Sequence, residues 1–201
     1  MKRVITIGRE FGSGGRELGR RLAEELSIEY YDREVISEIA EHTALSEDYV
    51  RQVVENQPHM LFPITIGHSF DVTEPVSNQQ VQQVYQAQQQ IIRDLAEKSE
   101  CVIIGRCADF ILRDSHPFRL FVYADIDARI QRCMARDTAD PSLTENEIRK
   151  HIHRMDKKRA RYYEFYTGQR WGARENYEMM VNTTGGVIEQ MAPVLAKFFR
   201  M

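Results

Sequence analysis

Apolar and polar positions alternate along this chain in two periods, short unbroken apolar runs and longer stretches at helical spacing. The run Val4 to Ile7 opens the chain; a glycine-rich turn follows, and then Leu18, Leu22, Ala23 and Leu26 recur at the spacing of one helix face. Ile28 to Tyr31 gives a second short strand, and two helical stretches follow, one over Glu34 to His42 and one from Ser46 that carries Tyr49, Val50, Val53 and Val54. From Gln57 to Val76 the periodicity is lost among Pro58, Pro63, Gly67 and Pro75, which predicts a long loop, and long loops in compact domains tend to carry function or move. Ser77-Asn-Gln-Gln80 has the form of a capping box and starts a helix with Val81, Val84, Tyr85, Ile91, Ile92 and Leu95 on one face; the glutamines beside them make a solvated face.

Cys101 to Ile104, ending in Gly105-Arg106, and Arg119 to Ala124, ending in Asp125-Ile-Asp127, have the continuous apolar character of strands buried on both faces. A helix from about Asp127 to Arg136 follows. Thr144-Glu-Asn-Glu147 is a second capping box, opening a long helix through Ile148, Ile152, Met155 and Tyr162. Tyr177 to Val181 is a last strand, and Gly185-Gly186 leads into a closing helix with Val187, Met191, Val194, Leu195 and Phe198. Strands alternating with helices predict an α/β fold, a parallel sheet covered on both faces. Such sheets bind ligands at the carboxyl ends of their strands, where the glycine turn, Asp32, Gly105-Arg106 and Asp125 would all lie.

The chain's 201 residues, 42% of them hydrophobic, suffice for one core and a small appended lobe. With 27 basic and 30 acidic residues the net charge is −3, which excludes the overall basicity of a general nucleic-acid binder and makes any electrostatic role local. Three irregularly spaced cysteines, Cys101, Cys107 and Cys133, fit neither a disulfide framework nor a zinc site and suggest reduced thiols in the cytoplasm. No signal-peptide pattern and no apolar run near twenty residues points to secretion or a membrane.

The turn itself, Gly8-Arg-Glu-Phe-Gly-Ser-Gly-Gly15, opens directly into Arg16-Glu-Leu-Gly-Arg20. Amides of a turn without side-chain bulk can converge on an anion, and the start of the following helix adds free N–H groups and dipole. Gly12, Ser13, Gly14, Gly15, Arg16 and Glu17 are therefore the candidate phosphate cradle. The strict phosphate loop runs Gly, four residues, Gly-Lys, then Ser or Thr. Gly8 and Gly15 have six residues between them, the cation after the last glycine is Arg16, and Glu17 stands where the magnesium-binding hydroxyl would be. Ser13 is the nearest spare hydroxyl. The loop alone is also compatible with a glycine-rich βα turn of another α/β protein.

From Arg149 to Arg174 nine Lys or Arg stand against Asp156 and Glu164, a local excess of seven positive charges. Lys150, Arg154, Lys157 and Arg161 fall on one side of the predicted helix. A solvated face is one reading; but like charges at i, i+4 repel by a few tenths of a kcal/mol per pair, which favours an anion against the stripe. In phosphoryl transfer, positioned Arg, Lys and metal neutralise the group in flight, and a hinged segment would also exclude water. RNA phosphate is the rival ligand, disfavoured by sparse aromatic platforms. Tyr162, Tyr163 and Trp171 could instead pack this segment on the core.

Taken together, Ile5-Thr-Ile-Gly-Arg-Glu-Phe-Gly-Ser-Gly-Gly-Arg-Glu-Leu-Gly19, Tyr30-Tyr-Asp-Arg-Glu34, Val102-Ile-Ile-Gly-Arg-Cys-Ala-Asp-Phe-Ile-Leu112, Asp156-Lys-Lys-Arg-Ala-Arg-Tyr-Tyr163 and Asn182-Thr-Thr184 resemble the cytidylate kinase-like family of nucleoside monophosphate kinases. The resemblance covers nearly the whole chain. It implies a P-loop kinase fold with a five-stranded parallel sheet: a core of 1–32, 99–136 and 177–201, a nucleoside-monophosphate-binding helical insert at 33–98 and a lid at 137–176. It further implies ATP and magnesium (Mg2+) as cofactors and a small-molecule phosphate acceptor, CMP-like or dCMP-like, with no nucleic-acid or membrane partner. The glycine loop would hold the donor phosphates with Arg16 as its cation, Arg106 would grip the acceptor's phosphate, and Arg154, Arg159 and Arg161 would neutralise the transferring group. True cytidylate kinases have Lys where this chain has Arg16, and Asp where it has Cys107; Asp109, two residues on, is the candidate replacement. Asp32 and Asp125 are placed to hold the metal, through water, or to orient the acceptor, and each can equally be a helix cap or turn former. Two other functions stay open: a nucleotide-binding sensor without turnover, and a kinase for a non-nucleotide metabolite.

Overall fold

The computed structural model describes residues 2–55, 78–135 and 142–200. Five parallel strands form one sheet: β1 (Val4–Arg9), β2 (Glu29–Tyr31), β3 (Cys101–Ile104), β4 (Phe118–Tyr123) and β5 (Met179–Asn182), in the order β2-β3-β1-β4-β5. The expected five-stranded parallel sheet is thus present. Its register pairs Ile5 with Val102 on one side and with Phe118 on the other. β1 is therefore the central strand, and the chain leaving it at Arg9 emerges at the middle of the sheet's carboxyl edge.

Eight helices surround the sheet in the described residues: α1 (Gly15–Leu26), α2 (Glu34–Thr43), α3 (Glu47–Glu55), α4 (Asn78–Lys98), α5 (Ala108–Ile111), α6 (Ile126–Met134), α7 (Glu145–Thr167) and α8 (Ile188–Phe199). Side chains leaving β3 alternate between the two faces. Val102 and Ile104 join Ile5, Ile7, Leu18, Leu22, Val122 and Ala192 under α1 and α8, while Cys101 and Ile103 join Ile39, Val50, Val84, Ile92 and Tyr162 under α2, α3, α4 and α7. Ile5, Ile7, Ile103 and Ile104 are wholly buried, and each such side chain contributes about 1.5–3 kcal/mol relative to exposure.

Helix ends follow the local chemistry. Thr144 caps α7, accepting from the Glu147 amide while the Glu147 carboxylate accepts from Thr144 N–H at 2.8 Å, the capping box its sequence predicts. Asp125 is the N-cap residue of α6, with no bond from its side chain to the helix. Ser77, the expected cap of α4, and the expected loop 57–76 lie outside the described residues. Most of the glutamines on α4 are exposed, but the expectation that all of them form a solvated face needs correction: Gln88 is fully buried. No helix among the described residues is long and apolar enough to cross a membrane.

Candidate active site

The glycine turn holds its shape through bonds inside itself. Gly12 and Gly14 sit at φ +78° and +80°, a left-handed backbone that side chains disfavour, and Gly14 leads straight into α1. Ser13, wholly buried, donates from Oγ to Glu10 O at 2.9 Å and accepts from the Gly15 amide at 3.4 Å. Thr183, just past β5, donates from Oγ1 to Ser13 O at 2.7 Å, tying the loop to the next strand end. A cavity of about 620 Å3 lies along this loop, walled by Gly12, Gly14, Gly15, Arg16, Asp32 and Arg132 among others. Its size and its position at a helix start, where amides lack intrahelical acceptors, suit a polyphosphate.

A second layer of charges locks the loop to α7. Arg129 of α6 is 5% exposed; it donates to Phe11 O at 2.8 Å and pairs with Glu10 at 3.0 Å and with Asp156. Asp156 in turn accepts from the Phe11 amide at 2.7 Å. The Phe11 ring lies between His151, edge-on at 5.1 Å, and the Arg159 guanidinium, 5.5 Å from the ring centre. Burial pushes the Glu10 carboxyl above its ordinary range, against the opposing pull of the Ala124 amide and Arg129.

On the other side of β1, three consecutive residues after β3 take left-handed backbone: Gly105, Arg106 and Cys107, at φ +68°, +58° and +55°. For the two non-glycine residues that geometry costs about 1–2 kcal/mol each. It persists because the turn is tied down on several sides: Gly105 N donates to Ile7 O at 3.0 Å, and Gln88 Nε2 donates to Arg106 O at 3.1 Å. Gln88 Oε1 accepts from the buried Tyr162 hydroxyl at 3.2 Å, so one buried amide joins α4, α7 and the Gly-Arg turn. Such strained, over-determined turns gather at functional sites. The turn bounds a smaller cavity of about 100 Å3, walled by Arg106, Asp109, Lys158, Tyr163 and Trp171 among others. Asp109 is 7% exposed and accepts from the Tyr163 hydroxyl at 2.7 Å; burial raises its carboxyl above the ordinary aspartate value.

Three arginines line both cavities: Arg9, Arg16 and Arg159. They stand where the two spaces meet.

The residues singled out by sequence distribute unevenly over this geometry. Arg16 is held by Asp32, Nε to Oδ2 at 2.5 Å, and its side chain is 49% exposed. Glu17 pairs with Arg21 at 3.0 Å on the outside of α1. Arg106 and Asp109 line the smaller cavity, and Arg159 donates to Arg9 O at 3.1 Å. Arg154 and Arg161 are exposed, Arg154 contacting His151 at 2.9 Å, and neither lines the two cavities. The whole stripe Lys150, Arg154, Lys157 and Arg161 faces outward, because Ile148, Ile152, Tyr162 and Tyr163 fix which side of α7 is buried. Ser13 has its hydroxyl turned into the loop, and Asp125 is exposed beyond β4, its amide donating to Thr184 Oγ1 at 2.9 Å. Sequence reading passed over Arg9, Arg129, Asp156 as an anchor, and Gln88. A lone arginine at a strand end or a glutamine in a glutamine-rich helix gives no periodic signal, although the acid inside the Lys/Arg run was visible as an exception.

The glycine-loop cradle has the character that ATP phosphates would need. A Cβ at Gly12 would come 3.0 Å from Arg129 O and one at Gly15 2.6 Å from Arg9 Cβ, so glycine lets the loop lie close against α6 and β1, and Arg9, Arg16, Arg132 and Arg159 line the cavity beside it. For magnesium, Asp32 is the buried carboxylate on the glycine-loop cavity; among the described residues no group of three His, Cys, Asp or Glu stands ready to hold an ion unaided.

A parallel sheet with a glycine loop between its central strand and the next helix, cations converging beyond it, defines a P-loop kinase fold. Solved structures agree. A crystal structure of an uncharacterized protein from Eubacterium ventriosum is 25% identical, with a TM-score of 0.70 over 99% of both chains. Shikimate kinase from Bacteroides thetaiotaomicron, 14% identical, superposes with a TM-score of 0.58 over 99% of both chains. Residues 4–185 match the cytidylate kinase-like family, and the chain belongs to that family of phosphotransferases. A cytidylate kinase of Methanopyrus kandleri is 25% identical over 174 residues, covering 81% of this chain and 76% of the relative.

Proposed function

We propose that the protein is an ATP-dependent kinase that moves the γ-phosphoryl group to a nucleoside monophosphate of the CMP or dCMP kind, or to a closely related small acceptor. The observation that carries this reading is a pair of cavities that share Arg9, Arg16 and Arg159 as lining: a polyphosphate-sized space on the glycine loop and a smaller one bounded by Arg106. The acceptor's phosphate oxygen attacks the γ-phosphorus, the bond to the β-phosphate oxygen breaks, and ADP leaves with that electron pair. Little covalent chemistry is asked of the protein, so alignment and charge neutralisation carry the rate. Loop amides hold the donor, Arg106 anchors the acceptor's phosphate, and Arg159, fixed to the loop through Phe11 and Asp156, faces the group in transfer. Magnesium, arriving with the nucleotide near Asp32, would neutralise donor-phosphate charge. In this reading 33–98 is the acceptor-binding insert, and 137–176 is the basic segment over the site, of which Arg159 meets the cavities while Arg154 and Arg161 face outward. Reduced thiols and dependence on ATP fit the cytoplasm.

Purified protein with ATP and magnesium, screened for ADP release against CMP, dCMP, UMP, AMP and small alcohols, tests this. Turnover above the acceptor-free rate with one of the nucleotides supports it. Turnover only with a non-phosphorylated alcohol points to a metabolite kinase, and ATP binding without turnover points to a sensor, a reading favoured by the inward-turned Ser13 hydroxyl and the Glu17–Arg21 pair.

A further inference from the structure

The strict phosphate loop places its cation at the first position after the closing glycine. In this fold the closing glycine is Gly14, which directly precedes α1, so the lysine position belongs to Gly15, and counting back five residues puts Arg9 at the position of the pattern's first glycine. Small and cationic residues have changed places. We infer that Arg9, at the end of β1, is the phosphate-binding cation of this loop, its charge transposed from the helix start to the strand end, and that it contacts the transferring phosphoryl group. This rests on the kinase reading above and adds a residue to it.

Three observations carry the inference. The room for Arg9 is made by two glycines: a Cβ at Gly15 would come 2.6 Å from Arg9 Cβ and 3.2 Å from its Cγ, and one at Gly105 would run into its guanidinium. The side chain thus passes over the vacated lysine position and ends beside the Gly-Arg turn of the acceptor cavity. Second, Arg9 lines both cavities, with its side chain 13% exposed. Third, it sits in a field of its own sign. Burial lowers its affinity for the proton, Arg159, Arg106 and Arg16 lower it further, and Asp32, with Oδ1 4.0 Å from Arg9 Nη2, opposes them. Packing guanidiniums this way destabilises the ligand-free protein, and an anion placed among them removes the penalty. Arg16, by contrast, is half exposed and chelated by Asp32.

Titration calorimetry with inorganic tripolyphosphate and with ATP, on full-length wild type, Arg9→Gln and Arg16→Gln, tests the assignment without any acceptor. Arg9→Gln is expected to weaken tripolyphosphate about 30-fold or more, the loss of paired charge-assisted bonds, and Arg16→Gln about fivefold or less. Thermal melting separates this from a structural role: ligand-free Arg9→Gln should melt no lower than wild type, since a repelling charge has gone, while losing most of the stabilisation that tripolyphosphate gives. The swap Arg9→Gly with Gly15→Lys, checked for native circular dichroism, should recover tripolyphosphate binding to within about tenfold of wild type. Wild-type binding with Arg9→Gln unaffected, or Arg16→Gln the more damaging of the two, overturns the inference alone. Failure of wild type to bind either polyphosphate overturns both it and the kinase reading.

Discussion

Removing the Asp156 carboxylate should loosen the glycine loop and the protein together. Asp156 accepts from the Phe11 amide at 2.7 Å and pairs with Arg129, whose side chain is 7% exposed against 15% for Asp156. In Asp156→Ala the Phe11 amide loses a bond to a charged acceptor, worth about 1.5–3 kcal/mol, and Arg129 keeps Glu10 as its remaining carboxylate partner. Breaking a buried pair costs about 3–5 kcal/mol, and the two losses overlap, so about 3–4 kcal/mol in total is expected. For a chain of this size about 2–4 °C of melting temperature goes with each kcal/mol, which gives a fall on the order of 10 °C. Asp156→Asn keeps an oxygen for the Phe11 amide and should lose about half as much. Calorimetric melting of the ligand-free variants measures this, and ATP titration should show weaker binding in the same order. A melting temperature for Asp156→Ala within about 2 °C of wild type, less than the shift for one kcal/mol, would refute the idea that this carboxylate anchors the loop.

Other changes should act as follows. Gly15→Ala, ordinarily favourable in a helix, should instead destabilise by about 1–3 kcal/mol, because the new methyl meets Arg9 Cβ at 2.6 Å and Val122 Cβ at 3.1 Å and neither can swing away; an unchanged denaturant midpoint would contradict it. Gln88→Leu leaves Arg106 O and the Tyr162 hydroxyl without their bonds to the amide, costing about 1–3 kcal/mol, and, by loosening the Gly-Arg turn, should raise KM for the acceptor more than for ATP. An equal effect on both constants would disconnect Gln88 from the acceptor side. Burial raises the Asp109 carboxyl above the ordinary 3.8, so the folded state holds that proton more tightly than the unfolded chain does. The stability this confers is full below 3.8 and is lost as pH climbs through the raised folded value, so Asp109→Asn should gain on wild type over that interval. Parallel stability curves for the two proteins between about pH 4 and 7 would contradict it.

Much of the architecture was legible in the chain because burial on both faces of a parallel sheet writes unbroken apolar runs such as Cys101 to Ile104, and a helix packed on one side writes Leu18, Leu22 and Ala23 at fixed spacing. The capping box at Thr144 was legible for the same reason, a bond pattern with a fixed offset in sequence. What spacing leaves open is which face of a helix meets the core. The stripe Lys150, Arg154, Lys157 and Arg161 is regular, yet the apolar contacts of Ile152 and Tyr162 turn α7 so that Met155, Lys158 and Arg159 line the cavity instead. Contacts between distant segments leave still less trace: Asp156 finds the Phe11 amide 145 residues away, and Gln88 finds Arg106 O and Tyr162. Arg9 was hidden by the register, since Gly8 passes for the loop's first glycine and Gly15, one residue past Gly14, for its closing one, which lends the cation's role to Arg16.

The central claim, a triphosphate on the glycine loop with its terminal phosphoryl between arginines at the junction of two cavities, is tested most directly by a crystal structure with a non-hydrolysable ATP analogue and CMP. The account predicts the β-phosphate on the amides of residues 12–16, the γ-phosphate between Arg9 and Arg159, and the CMP phosphate on Arg106. Phosphates bound elsewhere on the molecule, with the loop amides facing only protein atoms, would contradict it.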